Sequence, residues 1–230
     1  MAKMKLSLQD KIERKNLFSL MSSSSFDLIQ ENTREFMHLM TYYRCAMMEV
    51  ETKLNVLNEE FSLIHDRNPI NSIKSRLKDI PSIMEKLERR GLPHTMDAIE
   101  NDLYDIAGIR VVCNFIEDVY SMADTLLKQD DIELFQIKDY IEQPKENGYR
   151  SLHLIISVPI FLENEKKYVK VEIQLRTIAM DCWATLDHQL RYKKDYIFTE
   201  EMSNELLECA KLSAELDAKM DALRNTVENQ

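Results

Sequence analysis

Residues 1–68 contain neither glycine nor proline, and within them Phe36, Met40, Tyr43, Met47, Val50, Leu54, Leu57, Phe61 and Ile64 recur at alternating four- and three-residue steps. That spacing predicts a long amphipathic helix with a narrow apolar seam. Asn68-Pro69 stops it, and Ser22 to Ser25 mark a break upstream, with a short helix or loose arm before them. Residues 70–104 read as short helices, one running from Ile80-Pro81-Ser82 to Arg90 with Gly91 just past its end, another around Thr95 to Tyr104. Ile106 to Phe115 is nearly all apolar and reads as a central strand. Val119 to Leu127 is helical, and Leu134 to Ile141 alternates as a strand. Tyr149 to Val158 is a third strand, closed by Pro159. In the fourth, Lys167 to Arg176, the aliphatic Val169, Val171, Ile173 and Leu175 alternate with Lys170, Glu172, Gln174 and Arg176, so period two separates them onto opposite faces. A helix follows from Ile178 to about Tyr192, and another from about Glu200 to Gln230 with Leu206, Ala210, Ser213, Leu216, Met220, Leu223 and Val227 as its stripe.

These elements predict an α+β fold: a mixed sheet of four to five strands flanked by helices, with long helices at both ends. Three segments are expected: a helical extension over 1–68, a sheet domain over 69–195 and a C-terminal helix over 196–230. The end helices carry more apolar seam than one small sheet needs, which predicts oligomerisation.

Composition narrows the chemistry. The chain of 230 residues can bury a sizeable core. Its net charge of −10 excludes general duplex binding through a basic surface, though not a local basic groove. No apolar run approaches a membrane span or a secretory signal. Cys45, Cys113, Cys182 and Cys209 lie far apart without metal-ligand spacing and read as free thiols, which points to the cytoplasm. Only Gly91, Gly108 and Gly148 occur, which rules out a P-loop or a dinucleotide fingerprint. Any phosphate must therefore be held mainly by side-chain cations.

Candidate residues follow from this. Asp105, at the start of the central strand, and Glu172, within the fourth, suggest a divalent metal, or one ligand and one general base. The alternatives are a strand-end cap and a cross-strand ion pair. Tyr149, Ser151 and His153 share one face of the third strand, suited to stacking on a base and contacting a phosphate, and Lys145 adds a cation beside them. Arg76, Lys78, Lys86, Arg89 and Arg90 cluster around Ser82 at a helix start, either as a polyphosphate site or as a solvated helix with i,i+4 pairs. Arg110 interrupts an apolar strand and needs an anion or a stacking partner. The pair His65-Asp66 lacks any supporting cluster and reads as structural.

Four motifs in order, Ser75-Arg76-Leu-Lys78 with Ser82-Ile-Met-Glu-Lys86, Asp105-Ile-Ala-Gly-Ile-Arg110, Lys145-Glu-Asn-Gly-Tyr-Arg-Ser-Leu-His153 and Glu172-Ile-Gln-Leu-Arg-Thr177, resemble the small alarmone synthetases of the RelA/SpoT superfamily, most closely the RelP type. The resemblance implies a nucleotidyltransferase-like sheet, a homotetramer, and transfer of pyrophosphate from ATP to the 3′-hydroxyl of GDP or GTP with release of AMP. By the same resemblance, Arg76 and Arg110 sandwich the adenine, and Ser82, Lys86, Arg89 and Lys138 hold the ATP phosphates. Asp105 binds Mg²⁺, and Glu172 binds Mg²⁺, takes the proton of the 3′-hydroxyl, or does both. Tyr149 stacks on guanine, and Lys145 and His153 contact the acceptor's 5′ phosphates. Gln174 and Asp181 are weaker acceptor-side candidates, with Asp181 or Asp187 as the group that selects guanine. A lysine at 138 offers a point charge where a relative's arginine would grip phosphate with two prongs. With only helical residues ahead of the synthetase region, synthesis without alarmone hydrolysis is expected. The competing reading is a non-catalytic nucleotide or single-stranded RNA binding module using the Arg76–Arg90 cluster.

Overall fold

A computed structural model describes residues 33–64, 67–191 and 198–228. The expectations for the break at 22–25, for His65-Asp66 and for the end of a helix at Tyr192 fall outside the described residues. The predicted seam forms helix α1 (Thr33–Ile64), and Phe36, Tyr43, Val50, Leu54 and Leu57 are buried along it. Leu39 and Ala46 fill the same side, so the buried face is wider than a strict heptad seam.

Next comes β1 (Ile70–Leu77), where short helices were expected. Ile70, Ile73 and Leu77 are spaced as on a helix, which explains the misreading. A register shift between Ile70 and Ser72 corrects the phase, so Ile70 and Ile73 face the same side, opposite Cys113 and Val111. Helix α2 (Ile80–Arg90) begins where predicted, with Asp79 as N-cap accepting from the Ser82 amide and Gly91 closing it at φ 66°. Helix α3 (Met96–Asp102), capped by Thr95, leads through Leu103–Ile106 into β2 (Ala107–Cys113). Then follow α4 (Ile116–Leu127), β3 (Glu133–Asp139), β4 (Leu152–Phe161), β5 (Lys166–Thr177), α5 (Ile178–Arg191) and α6 (Glu200–Glu228).

The strands form one mixed sheet in the order β1-β2-β5-β4-β3, with β2 and β5 parallel and the other pairs antiparallel. The middle place belongs to β5, not to the apolar β2. Nor does Pro159 close the third strand, since β4 runs on to Phe161. Pro159 lies past Ser157, the last β4 residue paired with β3, so it stands where β4 has a partner on one side only. One sheet face is aliphatic: Ile109, Val111, Leu154, Ile156, Val171, Ile173 and Leu175 are buried in one core with residues of α1, α2, α3 and α4. The helices thus occupy that face and leave polar side chains on the other.

Candidate active site

Strand register places the candidate residues on the face opposite the core. Arg76 stands opposite Gly108, which pairs with Glu172. One step along, Lys74, Arg110, Gln174, His153 and Lys138 stand in a row across all five strands. Residues paired across a ladder share a face, so Gln174 has Arg110 on one side and His153 and Lys138 on the other, while Glu172 has Gly108 and then Arg76 on one side and Ile155 on the other. Gly108 leaves open floor between Arg76 and Glu172, since a Cβ there would meet only the Arg76 carbonyl oxygen, at 3.6 Å.

Asp105 sits just before β2. Lys78 and Lys86 both reach its Oδ2, at 2.6 and 2.5 Å, while its Oδ1 is buried without a partner. Burial pushes this carboxyl up, but the two lysines outweigh it and hold it below the ordinary range. Lys86 is in turn lowered by burial, against the pull of Asp105. Along α2, Ser82, Lys86 and Arg89 follow at i, i+4 and i+7 and share one helix face. The helix N-terminus itself is already capped by the Asp79 carboxylate, so the free helix start expected as a polyphosphate site carries its own anion.

Glu172 has a different environment. Its Oε1 lies 3.4 Å from His153 Nδ1, and its Oε2 accepts from Gln174 Nε2 at 2.8 Å. Burial raises it and the charge of Asp105 raises it further, but His153 and Gln174 hold it below the usual carboxylate range. The charge of Asp105 is thus felt at Glu172.

On the other side of Glu172, Tyr149 stands ahead of β4 instead of within it, brought in by the Lys145–Gly148 turn, where the Gly148 amide donates to the Lys145 carbonyl at 2.8 Å. Its hydroxyl meets His153 Nε2 at 2.8 Å. Lys145 Nζ lies 4.7 Å from the Tyr149 ring and 4.6 Å from the Tyr140 ring. Ser151, expected on the same face, is fully buried and donates to the Leu175 carbonyl. Lys138 is exposed on the edge strand, and Lys145 feels its charge.

Two groups at the centre were not singled out from the sequence. Arg176, with its side chain 4% exposed, donates to Tyr149 Oη at 2.5 Å, Gln174 Oε1 at 2.8 Å and Asp181 Oδ1 at 3.1 Å. Asp181 Oδ1 also receives Arg110 at 3.2 Å, so one oxygen joins the two arginines. Lys78 belongs to the charge cluster and to the first motif without a role of its own, and here it is a buried partner of Asp105. The alternation that placed Arg176 beside Gln174 and Glu172 was the available signal for it. Asp187 points to no such set: its Oδ1 takes Arg191 at 2.6 Å, one helical turn on.

Among the described residues no group of three or more His, Cys, Asp or Glu side chains is placed to hold a metal ion. Mg²⁺ does not require one, because it keeps several waters and takes one or two carboxylates plus phosphate oxygens. The unpartnered Oδ1 of Asp105, with Glu172 as a second carboxylate near enough to feel its charge, fits that donor set.

Residues 75–196 match the family model described as a region found in RelA/SpoT proteins. GTP pyrophosphokinase YwaC of Bacillus subtilis is 39% identical over 208 residues, 90% of this chain and 99% of that protein. GTP pyrophosphokinase YjbM of the same organism is 34% identical, over 81% of this chain and 87% of that protein. The crystal structure of small alarmone synthetase 1 from Bacillus subtilis bound to its product pppGpp superposes with a TM-score of 0.79 at 34% identity, over 84% of this chain and 98% of that one. The chain belongs to the RelA/SpoT family, among its small alarmone synthetases.

Proposed function

We propose that this chain is a GTP pyrophosphokinase that moves the β,γ-diphosphoryl group of ATP to the 3′-hydroxyl of GDP or GTP. The carrying observation is Glu172 on the polar face of β5 with Asp105 just ahead of the neighbouring strand β2, each held ionised by its own cationic or hydrogen-bonding partners. The acceptor's 3′ oxygen attacks the β phosphorus of ATP, the bond from that phosphorus to the α–β bridging oxygen breaks, and AMP leaves. The 3′-hydroxyl proton passes to Glu172, whose depressed pKa keeps it ionised at neutral pH. Tyr149, His153 and Glu172 form a connected line, so His153 fixes the carboxylate that takes the proton. Arg176 fixes Tyr149 as the stacking surface for guanine.

Donor-side assignments rest on position. Arg76 and Arg110 lie on adjacent strands of the open face, suited to stacking on a planar base. Ser82, Lys86 and Arg89 line the helix face toward Asp105, with Lys138 at the far edge, where cations offset the repulsion between two polyphosphates. Lys145 takes the acceptor phosphates, joined by His153 when a phosphate oxygen replaces Tyr149 at its Nε2, and Gln174 and Asp181 border the acceptor. Mg²⁺, held by Asp105 with Glu172, would neutralise phosphate charge as it develops. The RNA-binding alternative leaves both carboxylates without a use, since a phosphate backbone repels them.

A homotetramer fits the exposed apolar row Leu212, Leu216, Met220, Leu223 and Val227 on α6. No helix among the described residues is long and apolar enough to cross a membrane, and the cytoplasm is the proposed location. Purified protein given ATP, GDP and Mg²⁺ is expected to release AMP and a 3′-pyrophosphorylated guanosine nucleotide. No product across varied metals and acceptors overturns the proposal.

A further inference from the structure

The C-terminal helix α6 buries three residues, Leu206, Ala210 and Asp217, and each bears on the acceptor half of the site. None of them belongs to the main core. The Leu206 carbonyl accepts from Trp183 Nε1 at 2.8 Å, tying α6 to the helix that carries Asp181. Ala210 lies under Gly148, so close that a Cβ added at Gly148 would stand 2.4 Å from the Ala210 Cβ. Gly148 is in the turn between Lys145 and Tyr149 and has φ +85°. Asp217 Oδ2 takes Arg150 Nη1 at 3.1 Å, with both side chains largely buried at 13% and 7% exposure. Thr177, the last residue of β5, also hydrogen-bonds to Asp217.

Asp217 is therefore the point where the loop bearing Tyr149 and the strand bearing Glu172 and Arg176 are fastened to one helix. A leucine would serve stability as well or better, because a buried ion pair rarely exceeds an apolar contact of the same volume. What the carboxylate adds is direction. Arg150 adjoins Tyr149 in sequence, and fixing its guanidinium on α6 restrains the backbone that presents the Tyr149 ring.

We infer that Asp217 is a positioning residue for the nucleotide acceptor, acting through Arg150 and the Ala210–Gly148 contact on the loop that carries Lys145 and Tyr149. The inference rests on the acceptor-side reading of that loop. Lys86 pairs with Asp105 and Arg110 with Asp181, neither of them on α6, and the inference is confined to the acceptor side.

The test uses the full chain with Asp217→Leu, Asp217→Leu combined with Arg150→Met, and Ala210→Val. Wild-type turnover with ATP, GDP and Mg²⁺ is measured first. Its absence overturns the pyrophosphate-transfer reading alone, and GDP binding by calorimetry then carries the comparison. For Asp217→Leu the GDP KM, or its Kd, is expected to rise about tenfold, with kcat and the ATP KM within about twofold. The apolar pair is expected to recover the thermal midpoint but not the GDP affinity. Ala210→Val, which presses on Gly148 without touching the ion pair, is expected to weaken GDP selectively even if Asp217→Leu does not fold. Equal losses for ATP and GDP, or GDP affinity restored along with stability in the apolar pair, overturn the inference.

Discussion

The Tyr149 hydroxyl lies 2.8 Å from Nε2 of His153, four residues further along the chain. His153 Nδ1 faces Glu172, so with the proton on Nδ1 the other nitrogen is left to accept from Tyr149. Arg176 in turn donates to the Tyr149 oxygen. A stacking ring and a phosphate ligand, separate by resemblance, are thus linked to the candidate base. The line runs from a buried arginine through phenol and imidazole to a carboxylate.

Glu172→Gln keeps the shape and the hydrogen bond to Gln174 but removes the proton acceptor. Turnover is expected to fall by about 10² to 10⁴-fold, the range for loss of a positioned general base. Circular dichroism is expected to stay close to wild type, with only a modest fall in the thermal midpoint from the lost charge beside His153. A variant within tenfold of wild-type kcat would remove Glu172 from the proton-accepting role.

Asp105→Asn strips the shared partner from two lysines, Lys78 and Lys86, that are 10% and 14% exposed. Breaking a buried pair of this kind costs about 3 kcal/mol, read as a lower denaturation midpoint. Adding Lys78→Met is expected to recover part of that loss, because it removes one of the two stranded charges. A midpoint unchanged in Asp105→Asn contradicts the strength of this cluster.

Asp105 and Glu172 both have folded pKa values below the ordinary carboxylate value. The stability they contribute is fully present above the unfolded value near 4 and is lost as pH falls through the folded values. Thermal midpoints followed from about pH 6 downward are expected to drop more steeply in wild type than in Asp105→Asn. Parallel acid slopes in the two proteins would contradict the assignment.

Arg176→Lys retains the charge but cannot reach Tyr149, Gln174 and Asp181 together. It is expected to cost about 2 kcal/mol of stability and to raise the acceptor KM more than the donor KM. Steady-state kinetics with each nucleotide varied in turn separates the two.

Gly148→Ala meets both a left-handed backbone at φ 85° and the Ala210 side chain. The backbone term alone costs about 1–2 kcal/mol. The expected outcome is a lower thermal midpoint, recovered in part by Ala210→Gly, which vacates the colliding methyl. No recovery would show that the strain is backbone only.

Local pattern made much of this protein readable. Alternation along Lys170 to Arg176 places Glu172 and Gln174 opposite a buried aliphatic row because side-chain direction in a strand has period two, whatever the strand pairs with. The seam of α1, the Pro81 and Gly91 ends of α2 and the scarcity of glycine are likewise local facts. β1 is hidden from local pattern because a bulge lets helically spaced isoleucines share a sheet face, and only its ladder with β2 reveals that. The convergence of Lys78 and Lys86 on one Asp105 oxygen, the bridging of Arg110 and Arg176 by Asp181, and the burial of Asp217 in place of Leu216 depend on register and helix docking between distant segments. Sequence by itself determined which chemical groups are available and on which face of an element each lies. Tertiary structure decided which of them meet, because a hydrogen bond or ion pair requires an approach within a few ångströms that no local periodicity specifies.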